Sequence, residues 1–152
     1  MAKTERILEP FPGVQSRELV DAFPAIEALT ETILASAFTD GGAAVGTKTM
    51  TGWLPVGAVV LGTKVLVPAG FAGDTSAALT IGDGSDVDRY NTGTVDLFTT
   101  AAAGVQSGVP SGVKLQTTAV RPVLTVTSAT DITLVIAEAG SVTVSIYYIR
   151  TV

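Results

Sequence analysis

The sequence predicts an all-β fold, an antiparallel sandwich or a jelly-roll-like barrel with an N-terminal arm. Two observations favour this class: apolar and polar residues alternate with a period of two, and the alternating runs are rich in β-branched residues. A third is that Gly, Pro and Asp turn signals separate about nine short runs, at spacings of roughly 8 to 15 residues. This pattern leaves little room for the crossover helices of a parallel α/β fold.

The strand predictions follow these runs along the chain. The clearest alternation is SVTVSIYY, which places Val142, Val144, Ile146 and Tyr148 on one face. PVLTVTS, residues 122–128, and ITLVI, residues 132–136, are predicted as strands because they share the same β-branched composition. The remaining predicted strands cover residues 31–38, 47–54, 58–67, 77–81, 94–100 and 113–118.

A change of composition near residue 28 divides the chain. Residues 1–28 are charged and contain three prolines, and Pro24 limits any helix there to a turn or two. We therefore predict an N-terminal arm with a possible short helix over residues 1–28. Residues 29–152 are predicted to form a single β domain, because the chain of 152 residues suits one domain.

Composition narrows the possible chemistry. The chain has no Cys and no His, which excludes disulfides, thiolate metal sites and histidine general bases. The net charge of -5 and the nine scattered basic residues provide no positive stripe, so no nucleic-acid partner is expected. The mean hydropathy of +0.48 is high and predicts a large core or contacts with other subunits.

A membrane partner is not expected either. The apolar stretch at residues 54–73 contains Pro55, Lys64 and Pro68, which a spanning helix would have to accommodate, so we interpret it as strand. The N-terminus has charges but no apolar segment of a secretory signal. Nine aromatic residues are too few for the two girdles of an outer-membrane barrel.

Three aspartates stand close together in GDGSDVDRYNTG, residues 82–93. Asp83, Asp86 and Asp88 permit three interpretations: a calcium loop, a glycosidase-like carboxylate pair, or a polar turn between strands. The spacing does not match an EF-hand, and nothing apolar nearby would raise a carboxylate pKa. The turn is favoured, with Arg89 expected to pair with Asp88 or Asp86.

Two aromatic residues are further candidates. Trp53 is the only tryptophan and is interpreted as a core or interface anchor in preference to a sugar-stacking platform. Tyr90 stands in the acidic stretch and permits both a contact role and a sugar-binding role.

Several segments together resemble a known family. They are AFTDGGAAVGTKTMTG, LPVGAVVLGTKVLV, GFAGDTSAALTIGDGSDVDRYNTGT, GVPSGVKL, PVLTVTS and SVTVSIYYIRTV, and they span about residues 36 to 152. The sequences of these segments and their order along the chain resemble those of small structural proteins of tailed bacteriophages. The best-understood members of this family are capsid decoration (cement) proteins.

The resemblance implies a structural virion protein that decorates and stabilises the outer surface of a phage capsid. Such proteins are typically all-β homotrimers that bind adjoining major capsid subunits, so the implied action is mechanical. We expect no cofactor, no metal site and no catalysis. The arm then becomes the candidate for contact with the capsid or a neighbour, through Ile7, Leu8, Phe11, Val14, Arg17 and Leu19. The alternative function is a carbohydrate-binding β-sandwich module of a phage fibre or spike, using Trp53 or Tyr90.

Overall fold

The computed structural model describes residues 25–98 and 105–151, which form two antiparallel sheets packed face to face. The predicted all-β class is confirmed in its sandwich form. The strands within the described residues do not close into a barrel.

Ten strands and two short helical segments make up the described part of the chain. The strands are β1 (Glu27–Leu34), β2 (Thr39–Asp40), β3 (Val45–Thr49), β4 (Ala58–Ala69), β5 (Ala77–Gly82), β6 (Val95–Asp96), β7 (Val105–Gly108), β8 (Lys114–Leu115), β9 (Val123–Ser128) and β10 (Ser141–Arg150). The helical segments are a 3₁₀ turn at Ala35–Ala37 and the helix α1 at Ile132–Ile136.

The first sheet has the strand order β1-β10-β4-β7, and the short β8 also pairs with β4. β1 pairs with β10 without interruption, from Glu27 opposite Tyr148 to Leu34 opposite Ser141. On its other side β10 pairs with β4, and the register shifts next to Ser141 and next to Tyr147. Such irregularities bend a strand and increase its twist. The outermost strands of this sheet are β1 on one side and β7 with β8 on the other.

The second sheet has the order β2-β3-β9-β5-β6. Its central strand β9 places Val126 between Gly46 of β3 and Leu79 of β5. Both edge strands, β2 and β6, are only two residues long. The long strands therefore lie in the middle of this sheet.

The core lies between the inner faces of the two sheets. Val142, Val144 and Ile146 are fully buried, which confirms the alternation predicted for β10. The second sheet contributes its own alternating residues, including Leu79 and Val126. Burying these side chains stabilises the fold by roughly 25 cal/mol per Å² of apolar surface. This term is the main reason that the alternating pattern specifies two packed sheets.

The prediction of a strand at ITLVI is wrong, because these residues form helix α1. Asp131 caps the helix by accepting hydrogen bonds from the N–H and the hydroxyl of Thr133, at 2.9 and 2.8 Å. Ile132 and Val135, three residues apart, are buried on one face, whereas Leu134 is exposed. None of the helical segments in residues 25–98 and 105–151 is long and apolar enough to cross a membrane.

Strand boundaries differ from the predictions at several places. β1 begins at Glu27, so residues 27 and 28, which were assigned to the arm, belong to the first sheet. β3 ends at Thr49. The next residue, Met50, donates its N–H to the carbonyl of Pro122, which precedes β9 and is not part of the pairing between β3 and β9. The strands predicted at 94–100 and 113–118 are reduced to the two-residue β6 and β8 in the described residues.

Candidate functional site

The acidic stretch forms a turn organised by Asp83. Its Oδ1 accepts hydrogen bonds from the Ser85 N–H at 3.0 Å, the Ser85 hydroxyl at 2.8 Å and the Asp86 N–H at 2.9 Å. Gly84 adopts a φ of 91°, which lets the chain reverse immediately after Asp83. The polar-turn interpretation accounts for these contacts, because one carboxylate satisfies three donors of its own loop.

Arg89 pairs with Asp83 and not with Asp86 or Asp88 as predicted. Its Nε lies 3.3 Å from the Asp83 Oδ2, and both side chains are partly exposed. The N–H of Nε is not directed at the carboxylate, so the contact is an ion pair and not a hydrogen bond. Burial opposes ionisation of Asp83, but the bonds from Asp86 and Ser85 and the charge of Arg89 outweigh it and lower the pKa of Asp83.

The three aspartates are not arranged as a cation site. Within residues 25–98 and 105–151, no group of three or more acidic side chains is placed to hold a metal ion. Both carboxylate oxygens of Asp83 already have partners: Oδ1 accepts hydrogen bonds from Ser85 and Asp86, and Oδ2 pairs with Arg89. A calcium ion at this turn would have to compete with these contacts.

The carboxylate-pair interpretation also loses support from the geometry. A carboxylate that acts as a general acid needs a raised pKa, whereas the pKa of Asp83 is lowered. A cleft of about 340 Å³ lies elsewhere, beside β6, and Asp96 is the one ionisable residue that lines it. The Oδ1 of Asp96 accepts the N–H of Phe98 at 2.9 Å. The cleft thus holds one carboxylate, and at the turn the carboxylate of Asp83 is bound to its own loop.

Tyr90 does not offer a surface for a sugar, because its side chain is completely buried. Its hydroxyl donates to the Oε1 of Gln116 at 3.3 Å. Burial, followed by the negative charge of Asp83, raises the pKa of Tyr90 to about 12. The proposal of Tyr90 as a sugar-stacking residue is therefore wrong, since the ring belongs to the core beneath the acidic turn.

Trp53 is 58% exposed and so is not a core residue. The guanidinium carbon of Arg121 lies 5.8 Å from the centroid of the indole ring, within the range of a cation–π contact. Arg121 is itself held by a hydrogen bond of 2.7 Å from its Nε to the carbonyl of Met50. The result is a fixed, exposed aromatic side chain, which suits an interface anchor and also a stacking platform.

Trp53 lies at one end of the sandwich together with the acidic turn. The bridge between Leu54 and Val120 joins the loops at residues 50–57 and 116–122. β5 ends at Gly82, opposite Val123, so the loop that contains Asp83 leaves the second sheet at the same end. We call these three loops the Trp53 end. It combines exposed apolar residues with charged ones, as contact surfaces between proteins do.

The outer face of the first sheet is a second large surface with few charges. Its residues are mostly hydroxyl-bearing or apolar: Ala28, Thr30, Thr32, Leu34, Val59, Leu66, Leu115, Thr143, Ser145, Tyr147 and Ile149. Lys64, opposite Ser145, is the charged side chain among the described residues of this face. Thr30 donates to the Ser145 hydroxyl at 2.9 Å, which ties β1 to β10 on this face. In the sequence, this outer face is indicated by the Ser and Thr residues that alternate with the apolar positions of β10.

The contact residues predicted in the N-terminal arm lie outside the described residues. These are Ile7, Leu8, Phe11, Val14, Arg17 and Leu19. Within the Trp53 end, Trp53 was named from the sequence as a candidate interface anchor and the acidic stretch as a candidate site, whereas the outer face of the first sheet was not singled out.

Comparison with solved structures supplies further evidence on the fold. A chain in the capsid asymmetric unit of cyanophage Pam1 matches with a TM-score of 0.55 and 21% identity, over 93% of this chain and 100% of that chain. A chain in the acid-stable capsid of the Helicobacter pylori bacteriophage KHP30 matches with a TM-score of 0.48 and 16% identity, over 82% and 93% of the two chains. No family model and no curated protein matches this sequence.

The chain that matches with a TM-score of 0.55 comes from the capsid asymmetric unit of cyanophage Pam1. At such identities a structural match establishes the arrangement of strands and not the role. The chain therefore has a β-sandwich fold similar to that of a chain in the Pam1 capsid.

Proposed function

We propose that this chain is a structural virion protein that decorates and stabilises the outside of a phage capsid. It binds major capsid subunits as an oligomer, for which the resemblance to decoration proteins implies a homotrimer. The observation that carries the proposal is the fold match over 93% of the chain to a chain of the Pam1 capsid asymmetric unit.

The structure supports a contact role because it offers surfaces and no reactive centre in the described residues. Asp83 is committed to its own turn, Tyr90 is buried, and the cleft beside β6 holds a single carboxylate. The exposed Trp53 and the weakly charged outer face of the first sheet are suited to contacts with other proteins. We propose no enzymatic activity, no cofactor, and no nucleic-acid or membrane partner.

The proposed action is mechanical. Residues 1–26 precede β1 and are proposed as an arm that binds a capsid subunit or a neighbouring copy through its apolar residues, Ile7, Leu8, Phe11, Val14 and Leu19, and through Arg17. Three copies in one trimer present three such contacts. Avidity then exceeds the affinity of one contact by about 10² to 10⁴. Weak individual sites can in this way hold a shell together.

Co-sedimentation tests the proposal. The purified chain is mixed with undecorated phage heads at micromolar concentration, and the heads are pelleted. We expect the chain in the pellet at saturating stoichiometry. A chain that stays in the supernatant contradicts the proposal.

A variant of Trp53 tests whether the Trp53 end contributes. Trp53→Ala is expected to weaken binding to heads at least about tenfold, because exposed tryptophans that anchor interfaces contribute about 2 kcal/mol or more. Leu134→Ala is the matched control, since Leu134 is 46% exposed and lies in α1, which follows the opposite end of β9. Equal binding by both variants removes Trp53 from the contact.

The alternative function is a carbohydrate-binding module of a phage fibre or spike. One observation favours it: Trp53 presents a fixed, exposed indole ring, as a sugar platform requires. A glycan array probed with the wild-type chain and with Trp53→Ala separates the two functions. Sugar binding that disappears in the variant supports the module, and an array without signal supports the capsid role.

A further inference from the structure

The edges of the two sheets differ in length and in protection. In the second sheet, both edge strands are two residues long, and the side chain of Gln106 covers one of them, β6. Gln106 donates from Nε2 to the Asp96 carbonyl at 2.7 Å and accepts the Asp96 N–H at 3.3 Å. In the first sheet, one edge is divided between the short β7 and β8, and the other is the eight-residue β1.

β1 lacks most of the features that usually prevent an edge strand from pairing with another chain. It contains no Pro and no Lys, and its register with β10 is unbroken, so it has no bulge. Its two charges are bound within the molecule. Glu27 contacts the Nε of Arg150 at 2.9 Å and accepts the Tyr148 hydroxyl at 3.0 Å, and Glu31 accepts the Thr51 N–H at 2.7 Å.

The backbone of β1 alternates between its partner and the open edge. The Ala35 N–H donates to the Gly140 carbonyl at 2.9 Å and continues the ladder between β1 and β10. In an antiparallel ladder the odd-numbered residues of β1 then bond to β10, and the even-numbered residues direct N–H and C=O to the other side. In the described part of the chain, no backbone group pairs with that side. The edge can therefore accept a further strand.

Two exposed apolar residues indicate which strand fits. Ile26 is 68% exposed and Leu34 is 58% exposed, and they stand equally far from Thr30 in opposite directions. If a second copy pairs antiparallel with Thr30 opposite itself, Ile26 faces Leu34 of the second copy at each end. Ala28 then faces Thr32 between them. Both large apolar side chains on this side of the strand thus gain an apolar neighbour.

The same register places no like charges opposite each other. Glu31 faces Leu29 of the second copy, and Glu27 faces Ile33. A shift that centres the pairing on Glu31 would instead place two glutamates in direct opposition, which is unfavourable. Charge therefore disfavours the register shifted by one residue, and the apolar contacts favour the register centred on Thr30.

We propose that β1 is the site at which a second copy of this chain pairs, antiparallel and with Thr30 on a twofold axis. The two first sheets become one continuous sheet through the backbone groups of the even-numbered residues. This contact rests on the geometry of the strand and not on the proposed capsid role. Because it joins copies in pairs, it links neighbouring trimers if the threefold contact also forms.

A proline substitution tests the pairing at its centre. Thr30→Pro removes an N–H that points to the open edge and leaves the ladder to β10 intact. Thr30→Val is the matched control, because it also lacks the hydroxyl bonded to Ser145 but keeps the N–H. By light scattering, the wild type and Thr30→Val are expected to contain an even number of copies, and Thr30→Pro half that number.

A cysteine substitution tests the register without relying on the stability of the proline variant. The chain has no Cys, so Thr30→Cys introduces a single thiol. Paired Cα atoms at a twofold axis of this kind lie about 5.5 Å apart, a distance that a disulfide spans. Mild oxidation is expected to yield a covalent dimer of Thr30→Cys. The control Thr127→Cys, exposed on the second sheet, is expected to stay uncrosslinked.

Two results overturn the inference. One is a wild-type mass of one or three copies without a disulfide in Thr30→Cys. The other is a folded Thr30→Pro variant whose mass equals that of the wild type. Neither depends on heads being present, so a chain that pairs through β1 but does not sediment with heads refutes the capsid role and leaves this contact standing.

Discussion

Replacing Asp83 with alanine is expected to lower the free energy of unfolding by about 2 kcal/mol, although the residue lies in a surface loop. The carboxylate accepts three hydrogen bonds from Ser85 and Asp86 and pairs with Arg89, and its side chain is 15% exposed. A hydrogen bond to a charged group contributes about 1.5 to 3 kcal/mol. The expected loss of free energy is smaller than the sum for three such bonds, because the N–H groups that lose their partner can bind water.

Urea unfolding followed by tryptophan fluorescence measures this loss, with the slope of the transition expected to stay unchanged. In a thermal scan of a chain of this size, the same loss lowers the Tm by roughly 4 to 8 °C. Asp88→Ala is the control. Asp88 is exposed, so its replacement should change the free energy by less than about 0.5 kcal/mol.

The interpretation of the acidic stretch as a structural turn depends on this difference. It is refuted if Asp88→Ala destabilises the chain as much as Asp83→Ala does. A rise of several degrees in the wild-type Tm on addition of calcium, abolished in Asp88→Ala, would equally contradict it and restore the cation site.

Two further predictions concern stability. Hydrogen bonds, chiefly from the Thr130 N–H, lower the pKa of Asp74 from 3.8 to about 2 although burial opposes them. A lowered pKa stabilises the fold above about pH 4, and this contribution is lost as the pH falls towards 2, so thermal unfolding of Asp74→Asn should depend less on pH across that range. Gly108→Ala should cost about 1 to 3 kcal/mol in urea unfolding, because the added methyl group overlaps the buried Oδ1 of Asn91, whereas Ser107→Ala beside it should be nearly neutral.

The central strands were predictable because their side-chain pattern is determined by burial on one face. Val142, Val144 and Ile146 alternate with hydroxyl-bearing residues, and a shift by one residue would expose all three. The same holds for Leu124 and Val126 of β9. Strong alternation over six or more residues therefore located the middle of each sheet.

The short apolar run ITLVI could not be assigned in this way. Four of its five residues are β-branched, and they alternate over too few positions to separate a strand from one turn of helix. The deciding feature is local, since Asp131 caps Thr133, and Ile132 and Val135 pack three residues apart. An aspartate before an apolar run was a usable helix signal that the strand interpretation did not weigh.

The candidate site was less predictable than the fold because exposure depends on the packing of distant segments. Trp53 stands beside the buried Leu54, yet its ring is exposed and contacts Arg121, which a distant segment brings to it through the bridge between Leu54 and Val120. Tyr90 stands in a polar loop and is nevertheless buried. Its hydroxyl donates a hydrogen bond to Gln116, which belongs to a distant segment of the chain. The pairing of Arg89 with Asp83 likewise depends on how the turn closes.

The sequence pattern also did not predict that β1 is an edge strand of the first sheet. The sequence alone placed Glu27 in the arm, yet the structure pairs it with Tyr148 and bonds it to Arg150, near the other end of the chain. Strand order decides which strand becomes an edge, and strand order is a property of contacts far apart in the chain.

The central claim is that this chain acts by binding the outside of a protein shell. Electron cryo-microscopy of undecorated heads incubated with the purified chain tests it directly. We predict added density on the outer surface into which the two-sheet sandwich fits, in contact with capsid subunits. A reconstruction at saturating concentration that shows the bare shell alone would contradict the claim.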